Sequence, residues 1–408
     1  MLYSVVRDPS LSAANLNHDL ELIRKWAFQW KMEFNPDPNK QATEVLFSCK
    51  RSNVNHPPIF FNDSEVVRIE EQKHLGLVLT PTLYFLKHLL QKIQKAKKNI
   101  GIIKHLSAYL PMNTLNQMYK TFVRPHLDYC DIIYHEPAKS DNHEVSLTAP
   151  MEEIERVQYK AALAVTGAWK GSSRSKLYDE LGWEPLTYRR LSHRVIMLFK
   201  IVNRLIPYYL YEKLPPIRNA FSDEPIPIFR EFRTRTKRFA KSFFPDAIKM
   251  WNTLMPHFEE MPTLLQLKSH LLSLFRTKQR SIFNIHDPIG TKIIFQLRLG
   301  LSKLRHHKKK HNFVDTPSDF CTCNNGIEDT NHYLFYCRSY ATQRAKLAST
   351  VIDILSPQNL TQLSNNETLY LYGDENLSTS ENRDILLATI EYIKETNRYS
   401  FNIFVSLP

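Results

Sequence analysis

The run LKHLLQKIQKAKKNIGII, residues 86–103, sets the character of the chain. Leu86, Leu90, Ile93, Ile100 and Ile103 fall on one helical face, and Lys92, Lys95, Lys97 and Lys98 fall mostly elsewhere. This is the spacing of a helix with one side in a core, and it opens a long helical stretch. Leu115, Met118, Tyr119 and Phe122 mark a second helix after Pro111, interrupted at Pro125. Residues 136–151 are polar and read as a loop. Ile154, Val157, Ala161 and Val165 mark a third helix, with Gly167 as its C-cap. A short helix starts at Ser172 or Ser173 and ends near Gly182. Thr187 is expected to cap a longer one carrying Leu191, Val195, Leu198 and Val202. Residues 213–229 hold several prolines and little periodicity, the signature of a linker. Further helices are expected over 245–254, 262–278, 289–304, 338–355 and 383–396.

Upstream of this run the pattern is mixed. Met1 to Val6 reads as a short strand. Leu16, Leu20, Ile23, Ala27, Trp30 and Phe34 form a helical stripe facing a core, capped by Ser10 or Ser12 and stopped by Asn35 to Pro38. Thr43 to Ser48 is rich in strand formers. Ile59 to Phe61 and Val66 to Ile69 flank a polar turn at Asn62 and Asp63, as in a hairpin. His74 to Leu79 reads as one more strand, ended by Pro81. The fold class is therefore α+β, mostly α.

Composition narrows the function. The chain has 408 residues, 43% of them hydrophobic, which is enough for a sizeable core. Its net charge of +13 favours a polyanionic partner, nucleic acid or an anionic membrane surface. No apolar run approaches the length that spans a bilayer, so no membrane association is expected and nucleic acid is the better reading. The apolar start, Met1 to Val6, is too short for a signal-peptide core. With only nine glycines and no GxGxxG or GxxxxGK[ST], phosphate-cradling loops are not expected. Of five cysteines, three lie within Cys321 to Cys337, which suggests an intracellular protein, nuclear or cytoplasmic, that uses thiols for metal.

Cys321-x-Cys323, then His332, then Cys337 is the sharpest local motif. Zinc takes four tetrahedral Cys and His ligands, and Asn325 and Gly326 supply a turn between the two halves. Buried thiols without a metal are the competing reading. Basic residues mix with aromatics at Arg230, Arg233, Arg235, Lys237, Arg238 and Lys241 with Phe232, Phe239, Phe243 and Phe244. Guanidinium groups pair with phosphates and aromatic rings stack on bases, although Phe243 and Phe244 are more expected in the core. A second cluster comprises Arg298, Lys303, Arg305, Lys308, Lys309 and Lys310, with His306, His307 and His311, just before the Cys/His motif. The alternative for both is a solvated charged face. Catalytic constellations are wanting: Asp128 and Asp131 read as a surface pair, and neither GxSxG nor HExxH occurs.

Several phrases stand in a fixed order along the chain. Met1 to Val6 is followed by Trp26, Trp30, Phe34 and Asn35 at a helix end. Next come Asn39, Lys40 and Thr43 to Phe47, and then Lys73-His74-Leu75-Gly76-Leu77-Val78-Leu79. Further on stand Tyr119 to Pro125, Ile154 to Gln158, Ala161-Ala162 and Thr166-Gly167. Arg235 to Trp251-Asn252, Arg298-Leu299-Gly300-Leu301 and the Cys/Cys/His/Cys knuckle complete the series. In this order they resemble the C-terminal part of a non-LTR (LINE-type, jockey-like) retrotransposon reverse transcriptase, over nearly the whole chain.

The resemblance implies a partial polymerase palm at 1–82 and a helical thumb at 83–212. It implies a linker at 213–229, a basic helical nucleic-acid-binding region at 230–312, and a zinc knuckle with C-terminal helices at 313–408. It puts His74 and Gly76 at a primer grip, with template RNA and primer DNA as partners. Lys40 matches a lysine assigned an auxiliary proton-donor role at pyrophosphate, though an exposed loop lysine fits as well. In such polymerases two Mg²⁺ ions sit on aspartates of an earlier palm strand and of a Phe/Tyr-Ala-Asp-Asp hairpin, both preceding the segment that matches Met1. The expectation is an RNA-directed DNA polymerase by descent, inactive alone, with a structural zinc. A stand-alone basic zinc-knuckle protein and a degenerate element remnant are the alternatives.

Overall fold

The structure, a computed structural model, describes residues 2–6, 8–35, 41–47, 56–83, 85–134, 150–218, 226–274, 285–355 and 367–399. The chain forms two compact units, Met1–Gln91 with Glu136–Pro150 and Lys92–His135 with Met151–Pro408. Lys40 lies outside the described residues.

In the first unit, helix α1 (Pro9–Gln29) begins at Asp8, whose carboxylate accepts the Ser10 N–H at 3.0 Å. Asp8 therefore takes the capping role expected of Ser10 or Ser12, and Pro9 supplies a preset first turn. Ala13 and Ala27 are buried, but Trp30 and Phe34 are exposed, so only part of the expected stripe meets a core. Asn17 fastens the helix to a hairpin, donating to the Pro58 carbonyl at 3.1 Å and accepting the Phe60 N–H at 2.8 Å.

Three two-stranded ladders follow. β1 (Thr43–Glu44) pairs in parallel with β4 (Val67–Arg68), and β2 (Phe60–Phe61) pairs antiparallel with β3 (Ser64–Glu65). β5 (Gln72–His74) pairs antiparallel with β6 (Leu77–Leu79). Asn62 and Asp63, at φ 51° and 59°, make the expected hairpin turn. Two expectations fail here. Residues 2–6 form no strand, and His74 to Leu79 is not one strand but the two arms of a hairpin. Leu75 and Gly76, at φ 45° and 79°, turn the chain between them, and His74 ends one arm half-buried.

The second unit is helical. In α2 (Leu86–Leu106) the buried face is Leu89, Ile93, Ala96, Ile100 and Ile103, so the expected stripe holds with Leu89 in place of Leu90. α3 (Met112–Met118) runs through a π turn (Tyr119–Val123) into α4 (Arg124–Asp128). The wide turn lies directly ahead of Pro125, whose ring would meet the carbonyl four residues back in a regular helix. Pro125 thus changes the helical register rather than stopping the helix.

α5 (Pro150–Thr166) buries Ile154, Val157, Ala161 and Val165 and ends at Gly167 with φ 67°, as expected. α6 (Arg174–Leu181) ends at left-handed Gly182. α7 (Leu186–Val202) starts after Pro185, and its Thr187 N–H is taken by the Glu155 carboxylate at 3.0 Å rather than capped by the Thr187 hydroxyl. α8 (Tyr208–Tyr211), α9 (Lys237–Ala240), α10 (Phe243–Leu254) and α11 (Leu264–Ser273) follow. α7, α10 and α11 enclose Leu198, Phe199, Ile248, Trp251, Leu267 and Leu271. Within 213–229, expected as a linker, Ile226 and Phe229 are buried in this same core, and the Trp251 indole donates to the Pro227 carbonyl at 2.8 Å.

The rest comprises α12 (Pro288–Arg298), α13 (Arg305–Lys310), α14 (Ala341–Ile354), α15 (Glu367–Tyr372) and α16 (Thr379–Glu395). α16 packs on α12, α14 and α15. Among the described residues no helix is long and apolar enough to cross a membrane.

Candidate metal centre

Between α13 and α14 the chain folds into a small knuckle. Phe320 and Ile327 form a β-bridge, and the Cys321 N–H donates to the Gly326 carbonyl at 2.9 Å. Asn324 at φ 56° and Gly326 at φ 123° allow the tight return. Asp329 then accepts the His332 N–H at 2.7 Å and starts a π turn, His332–Tyr336. The turn closes where the Cys337 N–H meets the His332 carbonyl at 2.8 Å. In an α-helix, residues five apart are rotated by about 140°. The wider turn brings His332 and Cys337 to one side, facing the Cys-x-Cys loop.

The result is a four-residue cluster. One ligand atom from each of Cys321, Cys323, His332 and Cys337 lies within 4.8 Å of the others, the one such group of metal-capable side chains among the described residues. The Cys321 and Cys337 sulfurs are 3.7 Å apart, and Cys323 Sγ is 3.3 Å from His332 Nε2. Zinc bonds of about 2.3 Å to sulfur and 2.0 Å to nitrogen set tetrahedral ligand atoms about 3.5–3.8 Å apart. The donors therefore fit a tetrahedral soft metal, and 3.7 Å is far too long for a disulfide. Cys321, His332 and Cys337 are buried, and Cys323 is partly exposed. Four protein donors leave no open position, as in a structural site; a bound metal here would supply cross-linking of the two halves of the knuckle.

Electrostatics fit that role. Burial pushes the Cys321 thiol up to about 12. For Cys323 burial acts upward too, but the Asn325 N–H, the Cys321 thiol, the Arg338 N–H and His332 together outweigh it and bring it to about 6. Metal binding must displace the Cys321 proton, which makes affinity fall in acid.

The knuckle is anchored on both flanks. Buried Glu328 accepts the Arg305 N–H at 2.9 Å and a paired contact from Arg398 at 2.6 and 2.7 Å. Tyr333, inside the π turn, bonds Thr396 at 2.7 Å, and the Tyr392 hydroxyl donates to its carbonyl at 2.5 Å.

The basic residues expected to meet nucleic acid are scattered. Arg298 is buried, with its guanidinium on Glu180 at 2.8 Å and on the Leu371 carbonyl, out of reach of any phosphate. Arg305 reaches back to the Phe320 carbonyl. Lys308 pairs with Asp315 and Lys309 with Asp319 at the surface, where such pairs contribute little. Lys310, Arg233, Arg235 and Lys241 are exposed. The Lys237 and Arg238 side chains lie outside the described residues. Phe243 and Phe244 pack against the Trp251 core, as expected, while Phe239 is exposed. Asp128 and Asp131 correct the reading of a surface pair. Asp131 is buried against His193 at 2.7 Å, and Asp128 binds Arg189 at 2.9 Å.

No known family, curated protein or solved structure matches this chain.

His307, grouped with the basic cluster in the sequence, is buried beneath the knuckle between the Ser302 hydroxyl at 2.8 Å and Thr330 at 3.4 Å. Burial first, and His306 next, push its imidazole from the usual 6.5 down to about 4. Between these values the unfolded chain holds a proton that the folded chain refuses. The stability this contributes is complete above about pH 6.5 and lost as pH falls through 4, about 3 kcal/mol in all. Urea midpoints at pH 7 and near pH 4.5 are expected to separate more for the wild type than for His307→Gln. Equal pH dependence in the two would show that His307 contributes no linkage.

Proposed function

We propose that this chain binds RNA and DNA as the primer–template-gripping portion of a mobile-element reverse transcriptase, with a structural zinc ordering its C-terminal knuckle. The observation that carries the reading is a four-donor Cys₃His knuckle in a chain of net charge +13. Compact zinc knuckles allow a small polypeptide loop to hold shape without a core of its own. A cationic excess of this size creates a field that concentrates polyanions and releases their counterions on binding. The order of the sequence phrases supports the polymerase ancestry, and the exposed Arg233, Arg235 and Lys241 remain candidates for phosphate contact. A basic zinc-knuckle protein acting alone shares the same binding chemistry.

The test is a fluorescence anisotropy titration with labelled RNA and DNA. Affinity is expected to fall at least about tenfold between about 50 and 200 mM salt, as several phosphate contacts require. Affinity that is the same at both salt concentrations, or no binding at either, would contradict the proposal.

A further inference from the structure

A further group of cations in the helical unit lies away from the clusters that sequence suggested. Lys92 and Lys95 on α2 lie near His126 of α4, and Arg124 lies near Lys120 of the π turn. Asn99 of α2 ties the two segments together, donating to the Phe122 carbonyl at 2.6 Å. Lys92 Nζ stands 4.0 Å from the centre of the Tyr129 ring. Burial, then Lys92 and Lys95, hold the His126 imidazole below its ordinary range. Burial, then Arg124, hold Lys120 below its own. The acids that follow on this segment are directed at α7, Asp128 to Arg189 and Asp131 to His193.

Two aromatic rings border these cations. Phe122 is 55% exposed and Tyr129 is 39% exposed, although the same segment buries Tyr119, Val123 and Leu127 fully. The inner face of the helix is thus filled, and packing gives no reason for a phenylalanine on the outer one. Ammonium and guanidinium groups beside partly exposed rings recognise a chain that alternates phosphate with a flat π-face. A duplex hides its base faces in the stack, and an anionic bilayer offers phosphates without bases. We infer that the surface of Lys92, Lys95, Lys120, Arg124 and His126, with Phe122 and Tyr129, is a binding site for single-stranded nucleic acid. The cations hold successive phosphates and the rings stack on bases. The assignment rests on the nucleic-acid-binding reading above and concerns an unpaired strand, such as template not yet copied, beside the primer–template grip.

The test compares the full chain with a triple variant, Lys92→Gln/Lys95→Gln/Arg124→Gln, and with Phe122→Ala. Probes are oligo(U) and oligo(dT) of about 12 nucleotides, a duplex of the same length, and phosphatidylserine vesicles. Thermal melting checks that each variant is folded. The wild type is expected to prefer single strands to duplex. The triple variant should bind more weakly, with its salt slope reduced by about 2, as three lost phosphate contacts imply for a single strand. Phe122→Ala should lose about 5- to 100-fold in affinity with its salt slope unchanged. Oligo(U) and oligo(dT) separate RNA from DNA as the natural strand, and preference for either supports the site. If the wild type binds and the folded triple variant matches it in affinity and slope, this surface is refuted while the nucleic-acid reading stands. If the wild type binds the duplex but neither oligonucleotide, this surface falls while the nucleic-acid reading stands, and if it binds none of the three, both fall. Equal binding of duplex and single strand with no loss in Phe122→Ala, or vesicle binding alone, overturns the single-strand assignment.

Discussion

Chelation of the metal is expected to lower the melting temperature of the chain by more than about 10 °C, and added zinc is expected to restore it. Zinc contributes about 10–16 kcal/mol to isolated zinc-finger folds, where it replaces a hydrophobic core. The loop from Cys321 to Cys337 has few buried apolar side chains of its own, chiefly Tyr333 and Leu334. Without the metal, the buried Cys321 and Cys337 thiols stand 3.7 Å apart and the partly exposed Cys323 thiol stands 3.3 Å from the buried His332 imidazole, with only weak hydrogen bonds between them. Loosening would spread, because Tyr333 packs against Tyr392 and Tyr399 and because Glu328 holds Arg398. A loss of even about 4 kcal/mol converts to about 8–16 °C for a domain of this kind. Differential scanning fluorimetry with a chelator, and of Cys337→Ser, measures it. Coincident melting curves with and without chelator would show that the four side chains hold no structural metal.

Arg298→Ala should destabilise the helical unit by about 3–5 kcal/mol without altering the affinity of the folded protein for RNA. The guanidinium has no exposed side-chain surface, and Glu180 beside it is 8% exposed. Arg298 donates to Glu180 and to the Leu371 carbonyl, and its plane lies 4.7 Å from the centre of the Tyr372 ring. Truncation leaves a carboxylate and a carbonyl in low dielectric with no cation to meet them. Replacing both partners, as Arg298→Met with Glu180→Leu, should recover much of the loss, since an apolar pair leaves no buried charge. Urea midpoints for the two single variants and the double variant form the cycle. Additive losses would mean that the two side chains are not coupled.

The helices were largely readable because their apolar spacing is regular. Ile154, Val157, Ala161 and Val165 are all buried, and both Gly167 and Gly182 end helices in the left-handed region. The hairpin at 72–79 was hidden by its chemistry. Leu75 is a residue of apolar runs, yet it occupies a turn position with 81% of its surface exposed. Only Gly76 signalled the reversal. The ionic network of α7 was invisible for another reason. Arg189 and His193 find Asp128 and Asp131 some sixty residues earlier, so no local pattern pairs them. One signal was present: Arg190 and Arg194 continue the four-residue ladder between buried Leu186 and Leu198, where a cation has to be held inside.

At the knuckle, the identities and spacing of Cys321, Cys323, His332 and Cys337 sufficed to name the donors. What spacing could not supply was the π turn that brings residues 332 and 337 onto one side. Within the basic clusters, charge is counted along the chain while its availability is decided by burial. Arg298, counted among the cations of residues 298–310, is held inside on Glu180.

Native mass spectrometry of the purified chain mixed with a short single-stranded RNA tests the central claim in one spectrum. The account predicts a dominant species heavier than the bare polypeptide by one zinc ion and one oligonucleotide. A spectrum containing only the bare polypeptide would contradict it.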